Sequence, residues 1–194
     1  ISSTDTAFLF VILQSEFIFE IDFELSKDFG MKMNKIQVAI LMGSDSDYPV
    51  MQKAEDVLKE FKISYETRVL SAHRTPKQTI QFISSAEKRG TKVFIAGAGG
   101  AAHLAGVVAA HTVKPVIGVQ IMSKSLNGLD SLLSIVQMPP GVPVATVAID
   151  GAKNAALLAV QILGVTNNDI SKRFSVYKKK LEKEVLKKDK LLKR

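Results

Sequence analysis

The strongest constraint in this chain is an alternation. Five short apolar runs, Ile36–Met42, Ser64–Leu70, Lys92–Ala96, Pro115–Ile121 and Val144–Ile149, are each followed by a stretch with helical character. The helical stretches are Tyr48–Phe61, a segment opened by Thr75-Pro76 and ended at Gly90, Gly100–Thr112, Leu129–Gln137 and Ala152–Leu163. Apolar runs without an inside-outside alternation suit strands buried on both faces. In Tyr48–Phe61 the residues Val50, Met51, Ala54, Val57, Leu58 and Phe61 fall on one stripe, and Ile80, Ile83 and Ala86 do the same in the next helix. Strand followed by helix, five times over, is the pattern of βαβ units with a parallel sheet.

Crossovers between parallel strands are right-handed, so helices cover both faces of the sheet. The fold expected is therefore α/β: a three-layer, flavodoxin-like (Rossmann-like) parallel sheet with helices on both faces. A last, long C-terminal helix is expected from Asn168 to about Leu192. Nothing repeats internally and no second globular domain is indicated.

Three turns stand where strands hand over to helices: Gly43-Ser44-Asp45-Ser46-Asp47, Ser71-Ala72-His73-Arg74-Thr75-Pro76 and Gly97-Ala98-Gly99-Gly100-Ala101-Ala102-His103. In an open parallel sheet such points gather at the carboxyl edge, where ligands bind. In the first turn Gly43 suits a tight bend, and Ser46 or Asp47 can cap the helix that follows. Free N–H groups there favour a phosphate, whereas the carboxylate favours ribose hydroxyls. In the second turn His73 can give or take a proton near neutrality, and Arg74 can clamp a phosphate or carboxylate. Thr75 is the expected N-cap and Pro76 the first helical residue.

The third turn fits the dinucleotide fingerprint G-x-G-x-x-[G/A]. That fingerprint needs an acidic residue about 20 positions further on. No Asp or Glu lies between Glu87 and Asp130, and the next strand ends near Gln120, which argues against a dinucleotide site. The glycines still permit a small ligand close to the backbone. His103 by itself reads as a packing residue, and His111 as structural or surface. The two make no metal site by spacing.

Charge narrows the partners. Residues 172–194 hold 11 Lys/Arg and 3 Asp/Glu, while the remaining 171 residues hold 15 and 16. The net charge of +7 therefore belongs to the terminal helix, which reads as a solvated, Lys-rich face rather than a nucleic-acid surface. The chain has no Cys, so thiol nucleophiles, thiolate zinc sites and disulfides are excluded. The apolar stretch Ala7–Leu13 is too short to span a membrane and lacks the flanks of a signal or transit peptide. Residues 1–34 read as an N-terminal extension, disordered or artefactual: an upstream extension, a fragment of a longer product or a start-site artefact. The functional domain is expected over 35–165, with 166–194 as the basic helix. The uncharged run from Leu132 to Ile149 is expected to lie in a subunit interface.

Taken together, these motifs resemble the class I 5-(carboxyamino)imidazole ribonucleotide mutase family of purine biosynthesis. The likeness rests on Gly43-Ser44-x-Ser46-Asp47, Ser71–Pro76, Ala96–Leu104, and Leu132–Pro139 with Gly141–Thr146, and it covers about Lys35 to Leu163. The resemblance implies a cytoplasmic homo-octamer that uses no ATP, metal or organic cofactor. It implies His73 as the general acid/base, and Ser44, Asp47 and Arg74 with Ser46 as ribonucleotide-binding positions. It further implies Ser71 and Gly99–Leu104 as the lining of a carboxylate or carbon dioxide pocket, with His103 supporting it. Ala105 and Gln120 stand where the family often has Pro. The His-Arg pair and the Gly-Gly-Ala-Ala-His run favour class I over the class II enzymes, which carboxylate aminoimidazole ribonucleotide directly. In some organisms the domain is fused to the ATP-dependent synthetase that makes its substrate.

Overall fold

The structure is a computed structural model that describes residues 35–192; the expectation for the N-terminal extension falls outside these residues. The strands are β1 (Val38–Met42), β2 (Tyr65–Val69), β3 (Val93–Gly99), β4 (Val116–Ile121) and β5 (Ala145–Thr146). The helices are α1 (Tyr48–Glu60), α2 (Pro76–Lys88), α3 (Leu104–Ala110), α4 (Leu129–Val136), α5 (Ala152–Gly164) and α6 (Asn168–Leu192). The sheet order is β2-β1-β3-β4-β5 and every pairing is parallel. This is the flavodoxin-like order, whose strand sequence reverses between β1 and β3.

Strand alternation divides the core in two. Val38, Ile40 and Met42 of β1, with Val93 and Ile95 of β3, face α1, α5 and the first turn of α6, meeting Met51, Leu58, Ala156 and Ile170. Ala39, Leu41, Phe94 and Ala96 face the opposite layer of α2, α3 and α4, meeting Phe82, Ile83, Val108 and Ile135. Each fully buried aliphatic or aromatic side chain contributes about 1.5–3 kcal/mol of transfer free energy. The layers come close because small residues stand at the contacts. A Cβ on Gly97 would lie 2.4 Å from Met51 Sδ, and one on Gly118 2.4 Å from Ile135 Cγ2.

The architecture matches expectation, and four local readings are corrected. First, β3 runs on to Gly99, so the following helix starts at Leu104 and not at Gly100. Ladder partners on β4 hold Ala98 and Gly99 extended, opposite Gln120 and Ile121. Second, β5 is two residues long, not six. It is an edge strand, Pro143 offers no N–H for the ladder, and the chain returns to the sheet through the Asp150 N–H, which donates to the Gln120 carbonyl at 2.8 Å.

Third, Thr75 occupies the N-cap position of α2 without capping it. Its hydroxyl accepts from the Ser71 N–H at 2.8 Å and donates to the Ser71 carbonyl at 3.1 Å. Fourth, Ile80 is exposed, and the buried face of α2 is Thr79, Phe82, Ile83 and Ala86.

Ile170, Phe174 and Tyr177 seat the start of α6 against the domain, with Tyr177 edge-on to Phe61 at 5.5 Å between ring centroids. From Lys178 to Leu192 every residue is exposed. Among the described residues no helix is long and apolar enough to cross a membrane.

Candidate active site

The carboxyl ends of β1, β3 and β4, with the loop after β2, surround a cleft of about 470 Å³. It lies at the β1/β3 reversal, where the topology leaves a crevice. All eight residues singled out in the sequence line it: Ser44, Ser46 and Asp47 after β1, Ser71, His73 and Arg74 after β2, and Gly99 and His103 after β3.

The turn after β1 is a single 3₁₀ turn, Asp45–Asp47. Ser44 caps this turn, while Asp47 takes the N-cap position of α1 without a side-chain capping bond to it. The Ser44 hydroxyl accepts from the Ser46 N–H at 3.3 Å, and Asp47 Oδ2 accepts from the Ser44 N–H at 3.1 Å. This reciprocal box holds the Asp47 carboxylate under the turn. Only 8% of Asp47 is exposed. Burial is the main influence on it and pushes the carboxyl above its ordinary value. The Ser44 and Gly43 amides, the Ser46 hydroxyl and the Arg74 charge pull the other way. Gly43 is not required by space here, since an added Cβ would meet only Asp47 Oδ2 at 3.8 Å and the Ala98 Cβ at 4.0 Å.

The loop after β2 is tied to this turn. Arg74 Nη2 donates to the Gly43 carbonyl at 2.8 Å, and the Arg74 amide donates to Ser71 Oγ at 3.2 Å. The loop after β3 carries Gly100 at φ +62°, in the left-handed region that glycine tolerates, with open space where a side chain would stand. Ala98, Gly99, Gly100 and Ala101 then give the cleft a wall of backbone and methyl groups, closed by Leu104, which is 2% exposed.

His73 and His103 come from loops 30 residues apart and meet. His73 Nε2 lies 2.8 Å from His103 Nδ1, with the rings near perpendicular at 76°. His111 takes no part, its Nδ1 lying 2.9 Å from the Val107 carbonyl one turn back in α3. Among the described residues no three His, Cys, Asp or Glu side chains group as metal ligands.

The cleft also has a fourth wall, Ile121, Met122 and Ser123 at the end of β4. None of these three stands among the residues singled out in the sequence. The signal was present, because β4 ends at the same sheet edge as β1 and β3.

A cleft that combines a histidine pair, an arginine, a buried carboxylate and a backbone wall can hold a phosphorylated sugar and move a proton. The profile of the family described as AIR carboxylase matches residues 37–184. The N5-carboxyaminoimidazole ribonucleotide mutase of Pyrococcus horikoshii is 58% identical over 163 residues, covering 84% of this chain and 92% of that protein. The mutase of the same name from Saccharolobus solfataricus is 59% identical over 150 residues, covering 77% and 95%. The crystal structure of Treponema denticola PurE superposes with a TM-score of 0.75 at 32% identity, covering 81% of this chain and 99% of that one. On the fold, the cleft and these matches together, the chain belongs to the AIR carboxylase family.

Proposed function

We propose that this chain is an N5-carboxyaminoimidazole ribonucleotide mutase, an isomerase of purine biosynthesis. It moves the carboxylate of 5-(carboxyamino)imidazole ribonucleotide from the exocyclic nitrogen to ring carbon 4. The reading is supported by one observation: His73, an imidazole able to give or take a proton, lines one cleft with Arg74, Asp47, Ser44 and Ser46 and with the backbone and methyl groups of Ala98–Ala101.

Each group has a role that follows from its chemistry. Arg74, exposed at the cleft, donates from Nη2 to the Gly43 carbonyl and from Nε to Ser71 Oγ, and offers its remaining N–H donors to the substrate phosphate. Asp47 accepts from ribose hydroxyls, and Ser44 and Ser46 line the same end. His73 protonates the exocyclic nitrogen, the N–C bond breaks with its electron pair going to that nitrogen, and carbon dioxide is released within the cleft. The enamine-like ring carbon 4 then attacks the trapped carbon dioxide, and His73 takes the proton that carbon 4 gives up. The atoms balance without any other reactant, so one histidine serves both steps. Ser71 and the Gly99–Leu104 wall enclose the carbon dioxide and keep water away from it.

Exposed apolar side chains follow one another from the end of β4 through α4 and form an exposed apolar surface stretch: Met122, Leu126, Leu129, Leu133 and Val136. We assign this surface to contacts between copies of the chain in a cytoplasmic homo-octamer, which an ATP-dependent synthetase supplies with the carbamate substrate. The deciding experiment is a ring-absorbance assay with fresh 5-(carboxyamino)imidazole ribonucleotide, set beside aminoimidazole ribonucleotide plus bicarbonate. Rapid turnover of the carbamate alone, lost in His73→Asn, is the expected result. Preference for aminoimidazole ribonucleotide with carbon dioxide overturns the mutase in favour of a direct carboxylase. No turnover of either leaves a nucleotide-binding module.

A further inference from the structure

We propose that His103 is a positioning residue that fixes the tautomer of His73 and makes His73 Nδ1 the nitrogen that works on the substrate. The inference rests on the mutase reading of the cleft.

A separation of 2.8 Å between His73 Nε2 and His103 Nδ1 is a hydrogen bond with one proton between two nitrogens. One ring therefore donates and the other accepts. Among the described residues His73 makes no other hydrogen bond, which leaves its Nδ1 available to substrate.

Consider the acid form first. A protonated His73 carries N–H on both nitrogens, so its Nε2–H must donate and His103 Nδ1 must present a lone pair. The reverse arrangement would set two N–H groups against each other. His73 then delivers the Nδ1 proton to the departing nitrogen and is left as the Nε2–H tautomer. That tautomer has a bare Nδ1, which is the form needed to collect the proton from carbon 4. One fixed state of His103, with a bare Nδ1 and Nε2–H, thus serves both halves of the reaction. The pair never has to rearrange between them.

The placement of His103 fits this task. It stands at the entry to α3 with its amide donating to the Ala101 carbonyl at 2.8 Å and its carbonyl accepting from the Val107 N–H at 2.9 Å, so the ring projects from fixed backbone. The partner that orients a catalytic histidine is commonly a carboxylate. Here the substrate already carries a phosphate and a carbamate, and a carboxylate beside His73 would repel both. A neutral imidazole orients the ring without adding negative charge.

Two measurements test the proposal. The first is the long-range ¹H–¹⁵N spectrum of the ¹⁵N-labelled full-length protein, its ring signals assigned with His73→Asn and His103→Asn. Neutral His73 is expected as the Nε2–H tautomer and His103 with a bare Nδ1; His73 found as the Nδ1–H tautomer overturns the proposal. This readout needs no turnover, so it stands apart from the test of the mutase reading itself.

The second is kinetic. His103→Leu is expected to lower kcat by about 10²-fold with KM little changed, the scale of loss for a misplaced reacting group. His103→Asn, whose amide oxygen falls near the Nδ1 position, is expected to restore most of that loss. Full kcat in His103→Leu, a loss confined to KM, or an Asn variant no better than the Leu variant would each overturn it.

Discussion

Arg74 Nη2 donates to the carbonyl oxygen of Gly43 at 2.8 Å, across 31 residues of sequence. The bond locks the loop after β2 onto the loop after β1. It therefore joins two walls of the cleft, and the proposed phosphate contact would give the same cation a second job.

Arg74→Lys should separate those jobs. A lysine cannot hold the Gly43 carbonyl and grip a phosphate in two places at once. A hydrogen bond to a charged group contributes about 1.5–3 kcal/mol, and every 1.4 kcal/mol is about tenfold. KM should accordingly rise about 10- to 100-fold while kcat falls much less. Steady-state kinetics would check this, and an unchanged KM would remove Arg74 from the phosphate site.

Asp47 makes a pH-dependent prediction. Burial is the chief cause of its raised carboxyl value, so ionisation costs more in the folded protein than in the unfolded chain. Its contribution to stability is then greatest at low pH and is lost as pH rises through the raised folded value. Asp47→Asn keeps an acceptor for the Ser44 N–H and removes the charge. The variant should be at least as stable as the wild type at pH 7, with the difference shrinking towards pH 4, while substrate binding weakens. Thermal unfolding at both pH values would show it, and a difference that grows on acidification would contradict the assignment.

Glycines near the cleft should divide by space and by backbone. Gly97→Ala drives a methyl onto Met51 Sδ at 2.4 Å in a fully buried contact. Overpacking of that kind costs about 1–3 kcal/mol. Gly100→Ala meets no atom within 4 Å yet must hold φ +62°, a strain of about 1–2 kcal/mol. Gly43→Ala has neither problem and should unfold within about 0.5 kcal/mol of the wild type, as a surface change away from such features does. Denaturant titration of the three variants would give the order, and a Gly43 variant as weak as the Gly97 one would refute it.

The exposed face of α4 offers a test of assembly. Leu133 and Val136 are 45% and 49% exposed. Replacing both with Lys should leave the secondary structure unchanged and reduce the mass measured by light scattering from an oligomer towards the monomer. Retention of the full assembly would move the interface elsewhere.

Much of this molecule could be read from its residues because the reading rested on periodicity and on sheet-edge topology. The runs around Ile40, Ile95 and Val119 announced buried parallel strands. The turns at Asp47, His73 and Gly99 then had to converge, whatever their exact boundaries. What escaped depended on contacts between distant segments. Gly99 reads as a turn residue, and only its partner Ile121 on β4 keeps it extended. Thr75 reads as a cap, but its hydroxyl serves Ser71. The meeting of His73 with His103 has no local signature at all, because each ring is placed by a different loop. Ile121, Met122 and Ser123 lacked any polar motif to draw notice and are found only by asking where β4 ends.

The long final helix has an uneven hold on the rest of the protein. Ile170, Phe174 and Tyr177 anchor its start, and the 15 exposed residues from Lys178 to Leu192 extend about 22 Å at 1.5 Å per residue. Backbone amides in the anchored turns can open only when the domain does, whereas those in the exposed half can open by local fraying. Deuterium should therefore enter α6 as a gradient, slow near Ile170 and fast beyond Lys180, so that one helix records both the global stability of the fold and the near absence of tertiary support at its far end.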